Sequence, residues 1–126
     1  MPIAKILVAD DDPDFVEIMR TILEAGDYEV LTASSGQQAL TRVRHDHPDL
    51  LLLDIMMSSV LDGLDVSEQL AQDPDARNMP VIMVSSIADT SQSYLFPMGE
   101  PLHMDAWLSK PVDPKALLAK VAALLA

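Results

Sequence analysis

The chain has 126 residues, no cysteine, and 8 basic against 20 acidic side chains, which give a net charge of −12. This length suits a single domain over residues 1–126 with a hydrophobic core of its own, and the lack of cysteine excludes disulfides and thiolate metal sites. The acid excess argues against binding of a nucleic-acid backbone or of an anionic membrane surface. The apolar stretch Ile3–Ala9 is too short for a signal peptide or a membrane span, so we expect a cytoplasmic protein.

Apolar runs and amphipathic runs alternate along the chain. In chain order, the first half predicts a strand over Lys5–Ala9, a helix from Pro13 to a C-cap at Gly26, a strand over Tyr28–Ala33, a helix over Gln37–His45 and a strand over Leu50–Leu53. The second half predicts a helix over Leu64–Gln72, strands over Val81–Val84 and Asp105–Leu108, and a helix that starts at Pro114. The continuous apolar runs are typical of strands buried on both faces. Asp12-Pro13 and Asp113-Pro114 are typical of an N-cap followed by a proline in the first helical turn.

Strands that alternate with helices in this way predict an open parallel sheet with helices on both faces. One segment departs from the pattern. Ser91–Met104 contains Pro97, Gly99 and Pro101, residues that interrupt helices. We therefore expect the fourth helix of the fold, which precedes the fifth strand, to be short or irregular.

The polar residues that follow four of the predicted strands form a candidate site. They are Asp10 and Asp11 after the first strand, Asp54 after the third, Ser85 after the fourth and Lys110 after the fifth. In an open parallel sheet, ligands bind beyond the carboxyl ends of the strands, so these side chains are expected to converge at one edge. Carboxylates at close range repel each other unless a cation joins them, and an all-oxygen site suits Mg²⁺. The same groups fit phosphoryl transfer, in which a metal and a lysine neutralise the phosphoryl oxygens and a carboxylate attacks.

The motifs around these residues resemble those of the receiver domain of bacterial two-component response regulators. The motifs are Ile6–Pro13, Leu51–Met57, Asp62–Leu64, Val81–Ser85 and Lys110-Pro111, and they occur in the family's order over essentially the whole chain. The resemblance implies a flavodoxin-like, doubly wound α/β fold with five parallel strands in the order 2-1-3-4-5.

The resemblance also implies a phosphorylation-dependent signalling switch. The phosphoryl group would come from a sensor histidine kinase or a phosphotransfer protein, in a Mg²⁺-dependent reaction, and the phosphorylated domain would act on a downstream protein target. We expect a phosphoacceptor that assists its own phosphorylation and dephosphorylation rather than an enzyme.

The resemblance implies a role for each residue of the site. Asp54 would be the phosphoacceptor and a ligand of the metal. Asp11 would coordinate Mg²⁺ directly, and Asp10 would do so mainly through water. The backbone carbonyl of Met56 would be a further ligand, and Lys110 would pair with the phosphoryl group.

Other residues would respond to the phosphoryl group or control its lifetime. Ser85 would swing toward it and bind it, and Trp107 occupies the position of the family's switch aromatic. The Lys110-Pro111 bond resembles one that is cis in the family. Met56 and Ile87 hold the positions whose side chains stand over the approach of the hydrolytic water, and both are bulky and apolar. We therefore expect the aspartyl phosphate to decay slowly.

The loop after the acceptor departs from the family pattern, which leaves alternatives open. Ser58 stands where the family usually has proline, and Asp62-Gly63 is displaced by one residue. A degenerate receiver that binds a partner without phosphorylation is one alternative. A Mg²⁺-dependent aspartyl phosphatase is another, although Met56 stands where those enzymes need an acid-base aspartate. A flavin or nucleotide carrier would need a glycine-rich loop after the first strand, which this sequence lacks.

Overall fold

The computed structural model describes residues 3–54, 66, 69–70, 72–74, 76, 78–85 and 105–126. The strands in this part of the chain are β1 (Lys5–Ala9), β2 (Glu29–Ala33), β3 (Leu50–Asp54), β4 (Val81–Ser85) and β5 (Ala106–Ser109). The helices that the same part of the chain forms are α1 (Pro13–Ala25), α2 (Gly36–Asp46) and α3 (Pro114–Leu125). Val66 and Leu70 also have helical backbone, which fits the helix predicted over Leu64–Gln72. Of that predicted helix, the structure describes only residues 66, 69–70 and 72.

The strands form one parallel sheet in the order β2-β1-β3-β4-β5. Ala9 at the end of β1 is paired with Ala33 of β2 and with Leu53 of β3, so these strands end close to one level. Asp54, the last residue of β3, is paired with Val84 of β4. The expected flavodoxin-like architecture and strand order are confirmed. The strand order changes direction between β1 and β3, which is where sheets of this kind bind ligands.

Alternate side chains of each strand point to opposite faces of the sheet, so an apolar strand needs cover on both faces. Helices supply this cover. One face buries residues of β1, α1 and α3, among them Ile6, Val8, Met19, Leu23 and Leu117. The opposite face buries residues of β1 and α2 and a residue that precedes β4, among them Leu7, Ala9, Leu40, Val43 and Leu70. The residues Leu50–Leu53 of β3 are all buried. Asp54 therefore stands at the end of a strand that the core holds on both sides.

Helix α1 has the N-cap that the sequence predicts. The Asp12 carboxylate accepts hydrogen bonds from the backbone N–H groups of Asp14 at 3.0 Å and of Phe15 at 3.4 Å. Gly26 is the C-cap, as expected, but its φ of −90° is one that any residue adopts. The left-handed residue is the next one, Asp27, with a φ of 70°. The sequence pattern thus located the end of the helix but not the residue that reverses the chain.

Several element boundaries differ from the prediction by one residue. Helix α2 extends one residue beyond each end of the predicted Gln37–His45. β2 begins after Tyr28, because the N–H of Tyr28 donates to the Leu23 carbonyl at the end of α1. β5 begins after Asp105, whose carboxylate accepts a hydrogen bond from the N–H of Val81 at 2.9 Å. Tyr28 thus belongs to the turn before β2, whereas Asp105 is bonded to Val81, the first residue of β4.

Several sequence expectations concern residues outside the described part of the chain. They include the irregular segment Ser91–Met104, and Ser58 and Asp62-Gly63 of the loop after Asp54. The short or irregular fourth helix therefore stays a prediction. Within the described ranges, no helix combines the length and the apolarity that crossing a membrane requires.

Candidate functional site

The carboxyl ends of β1 and β3 place aspartates side by side. Ala9 of β1 is level with Leu53 of β3, so Asp10 follows β1 next to Asp54. One carboxylate oxygen each from Asp10, Asp11 and Asp54 lies within 4.8 Å of the others. Asp10 and Asp54 are buried, with 2% and 5% of their surface exposed, whereas Asp11 is exposed. The cluster therefore has two charges withdrawn from water and one on the solvent side.

The start of α1 fixes the orientation of the Asp10 carboxylate. The N–H of Asp10 donates to the Ala33 carbonyl at 3.0 Å, just past the end of the β1–β2 ladder. Asp10 Oδ1 accepts a hydrogen bond from the N–H of Asp12 at 2.9 Å. Asp12 uses its own carboxylate to cap α1. Asp12 thus caps the helix with its carboxylate and holds the Asp10 carboxylate at the site with its backbone N–H.

Lys110, directly after β5, brings an ammonium group to the aspartates. Its Nζ lies 3.0 Å from Asp10 Oδ2 and 3.7 Å from Asp54 Oδ2. The same Nζ lies 4.3 Å from the centroid of the Phe15 ring. The Lys110-Pro111 peptide bond is cis, as the resemblance implies. The carboxyl end of β5 therefore reaches the same point as those of β1 and β3.

The surroundings of Lys110 keep its side chain charged. Burial lowers the pKa of Lys110, but the contact with Asp10 and the negative charges of Asp54, Asp10 and Asp12 outweigh burial and raise this pKa above its usual value. A group that stays protonated in this way is poorly suited to exchange protons near neutral pH. It is well suited to bind an anionic group.

The ligand atoms of this cluster fit a hard divalent cation. Three carboxylates and one ammonium leave a local balance of −2, from −3 and +1. Asp10 Oδ2 is buried, and the group that it meets among the described residues is the ammonium of Lys110, at 3.0 Å. A buried carboxylate oxygen without a full set of partners is costly, and a metal ion relieves that cost. Oxygen ligands with one side open to solvent suit Mg²⁺, which retains several waters.

The remaining predicted site residues are described only in part. Ser85 is the last residue of β4, in register with Ser109 of β5, which places its backbone at the same sheet edge. The structure does not describe the Ser85 side chain. Trp107 is partly buried and packs against the core on the α2 face of the sheet. Met56 and Ile87 lie outside the described residues, so their roles stay predictions.

Sequence reasoning missed the contact between Phe15 and Lys110. The spacing of Phe15 predicts an inward-facing residue of α1, and the side chain does pack against the core on that face. Its ring also faces the ammonium group of Lys110. The available signal is position, because the first turn of a helix that follows Asp10 and Asp11 must lie beside the site.

The chain is similar in sequence to known signalling proteins. The family model of the response regulator receiver domain matches residues 6–122. The chain is 38% identical over 121 residues to the probable transcriptional regulator ycf27 of Cyanophora paradoxa, a match that covers 96% of this chain and 48% of that protein. The chain thus spans about half the length of the curated relatives it matches.

Solved structures share the fold over nearly the whole chain. A putative response regulator from Chloroflexus aurantiacus has a TM-score of 0.85 and 27% identity, with 99% of this chain and 98% of that chain covered. The BeF3-activated N-terminal receiver domain of RstA from Klebsiella pneumoniae has a TM-score of 0.79 and 26% identity, with 96% and 97% covered. Both similarities extend beyond the sheet to the whole domain.

Proposed function

Because the chain belongs to the response regulator receiver domain family, we propose that it is a switch whose phosphoacceptor is Asp54. Receiver domains act in phosphorylation-dependent signalling, and that general role holds for this domain. The phosphoryl donor in this proposal is a phosphohistidine on a sensor histidine kinase or on a phosphotransfer protein. The transfer depends on Mg²⁺.

The observation that carries the proposal is the position of the Asp54 carboxylate. It is buried at the end of β3, within 4.8 Å of the other two carboxylates of the cluster and 3.7 Å from Lys110 Nζ. One of its oxygens attacks the phosphorus of the donor. A bond from phosphorus to Asp54 forms while the bond from phosphorus to the donor nitrogen breaks, and that nitrogen keeps the electron pair. The ammonium of Lys110 balances the charge on the transferred phosphoryl oxygens.

Three side chains would hold the metal in this proposal: those of Asp10, Asp11 and Asp54, with the backbone carbonyl of Met56 predicted as a further ligand. When bound, the cation neutralises part of the charge on the phosphoryl oxygens. The carboxylates by themselves repel an anionic donor, since the charge of Lys110 offsets only one of the three. This repulsion is the reason why we expect little transfer in the presence of a chelator.

The domain acts in this proposal as a stoichiometric acceptor rather than as an enzyme, because its attacking group ends the reaction modified. The arrangement supports a working acceptor more than a degenerate receiver. A module that only binds a partner has no need for two buried carboxylates paired with a lysine, which are costly to bury.

The consequence of phosphorylation is a change in a protein contact. Phosphorylation adds about −1.5 to −2 charges at the sheet edge, and we propose that Ser85 and Trp107 transmit this change to the surface that a downstream target binds. The similar ycf27 protein is named a transcriptional regulator and is about twice as long as this chain. We propose a protein as the target of this domain, because the acid excess of the chain disfavours direct binding to nucleic acid.

A titration with Mg²⁺ and beryllofluoride tests the proposal, with the fluorescence of Trp107, the one tryptophan of the chain, as the readout. We expect a saturable change in the wild type and none in Asp54→Asn. Asp12→Asn is a matched control, because it removes the same charge from a neighbouring cap residue and asparagine caps helices as well as aspartate does. It should respond like the wild type. A full response of Asp54→Asn would show that the acceptor has been assigned wrongly.

A further inference from the structure

We infer that Phe15 is a positioning residue for Lys110, and that its ring holds the ammonium group where it can meet a phosphoryl group on Asp54. The consequence for phosphorylation rests on the proposed function, whereas the contact itself does not. Lys110 Nζ lies 4.3 Å from the centroid of the Phe15 ring. A ring attracts a cation at distances up to roughly 6 Å, and the attraction increases when the cation is partly desolvated.

Among the described residues, the ammonium group has three close neighbours of two different kinds. Two are carboxylates, with Asp10 Oδ2 at 3.0 Å and Asp54 Oδ2 at 3.7 Å. The third is the aromatic ring of Phe15. The ammonium lies closer to Asp10 than to Asp54, so the attraction to Asp10 is the stronger of the two. The ring offers a broad surface over which the ammonium can shift toward Asp54 and keep a favourable contact.

The two kinds of attraction respond differently to a bound cation. Carboxylates that share their charge with a metal attract the ammonium of Lys110 less strongly. The attraction to the ring of Phe15 comes from its fixed charge distribution and does not depend on the charge of the carboxylates. The contribution of Phe15 to the position of Lys110 is therefore greatest in the metal-bound domain, which is the form that receives the phosphoryl group.

The structure holds Phe15 itself in place. Its backbone N–H donates to the Asp12 carboxylate that caps α1. Its side chain is partly buried and packs against the core that α1 shares with β5 and α3. An aliphatic side chain at this position would also pack against that core, but it would present no negative face to Lys110. This difference separates a positioning role from a packing role.

The contact can be measured through the ring current of Phe15. Protons of the Lys110 ε-methylene group near the face of an aromatic ring are shifted upfield in NMR spectra of lysine-labelled protein. We expect this shift in the wild type and in Phe15→Tyr, with and without Mg²⁺, and its loss in Phe15→Leu. The exposed Lys115 should be unaffected and serves as the internal reference.

The effect on the reaction is measured as the rate of phosphorylation by acetyl phosphate. We expect Phe15→Leu to react roughly 2- to 30-fold more slowly than the wild type, the range that a lost cation–ring contact gives. Phe15→Tyr should restore the rate. The Mg²⁺ affinity, followed by Trp107 fluorescence, should be the same in all three proteins, which a general packing defect would not produce. If Phe15→Leu does not fold, Phe15→Met fills the space without a ring and takes its place.

The outcomes separate this inference from the proposed function. A wild-type rate in Phe15→Leu, or an upfield shift of Lys110 that survives in that variant, would overturn the role of Phe15. Failure of the wild type to accept a phosphoryl group at all would overturn the proposed function. In that case the ring-current shift would still decide whether Phe15 holds Lys110.

Discussion

Replacement of Asp11 by asparagine should stabilise the folded domain when no divalent cation is present. Asp11 is exposed, yet one of its carboxylate oxygens lies within 4.8 Å of oxygens of Asp10 and Asp54. Folding brings these three negative charges together, while Lys110 supplies one positive charge in contact with Asp10. Asparagine keeps the shape of the side chain and removes the charge, so the repulsion falls without loss of packing.

The size of the effect follows from Coulomb's law. Two unit charges 4.8 Å apart repel by about 0.9 kcal/mol at the dielectric constant of water and by about 3.5 kcal/mol at an effective value of 20. Since Asp11 is exposed, the lower value is the appropriate one. Asp11 has two such neighbours, and salt and Lys110 reduce the sum. We therefore expect the free energy of unfolding to increase by about 1–2 kcal/mol in Asp11→Asn.

Saturating Mg²⁺ should make the wild type more stable than Asp11→Asn. A ligand that binds only the folded state adds about 2.7 kcal/mol of stability at a concentration 100 times its Kd. The wild type gains this contribution, whereas Asp11→Asn has lost one of the predicted ligands and gains less. Urea unfolding followed by circular dichroism, in EDTA and at increasing Mg²⁺ concentrations, should give stability curves that cross.

The control is Asp12→Asn, which removes the same charge one residue further along the chain. Asp12 caps α1 and is not one of the three clustered carboxylates, so this variant should show neither the gain in EDTA nor the loss with Mg²⁺. Our reasoning would be refuted by an Asp11→Asn variant that is less stable than the wild type in EDTA. Equal behaviour of Asp11→Asn and Asp12→Asn would refute it as well.

Three further predictions concern the charge of Lys110, the N-cap of α1 and the lifetime of the aspartyl phosphate. In the metal-free protein, the pKa of Lys110 should lie above that of a free lysine side chain in NMR titrations, because the neighbouring carboxylates raise it. The stabilising contribution of Lys110 is complete below the unfolded value of about 10.4 and is lost as the pH rises through the folded pKa. Asp12→Ala should lower the free energy of unfolding by about 1 kcal/mol through loss of the α1 cap, with Mg²⁺ affinity unchanged. The aspartyl phosphate should decay slowly in the wild type and faster in Met56→Asn and Ile87→Glu, measured as loss of phosphate; decay of the parent within seconds, or no acceleration in the variants, would count against the predicted screening of the water.

Much of the fold could be predicted because β1, β3 and β4 are short apolar runs, each with a polar residue at or just past its end. Parallel strands expose their carboxyl ends at one edge, so Asp10, Asp54 and Lys110 could be expected to meet there before any coordinates were known. The structure places them within contact distance of each other.

Other features depend on tertiary contacts that no local pattern encodes. The φ of 70° belongs to Asp27 rather than to Gly26, because the turn after α1 must deliver Tyr28 to the Leu23 carbonyl before β2 can begin. The contact of Phe15 with a lysine far along the chain depends on how α1 and β5 pack against the same sheet. A helical period predicts only that such a residue faces inward, not which charged group it meets.

Location of the phosphate on the protein tests most directly whether Asp54 is the acceptor. The purified domain is incubated with acetyl phosphate in the presence of Mg²⁺ or EDTA, the acyl phosphate is trapped by borohydride reduction, and the modified peptide is identified by mass spectrometry. We expect modification at Asp54 in the wild type with Mg²⁺, almost none in EDTA, and none in Asp54→Asn. Modification at Asp10 or Asp11, or equal labelling of Asp54→Asn and the wild type, would contradict the assignment of Asp54.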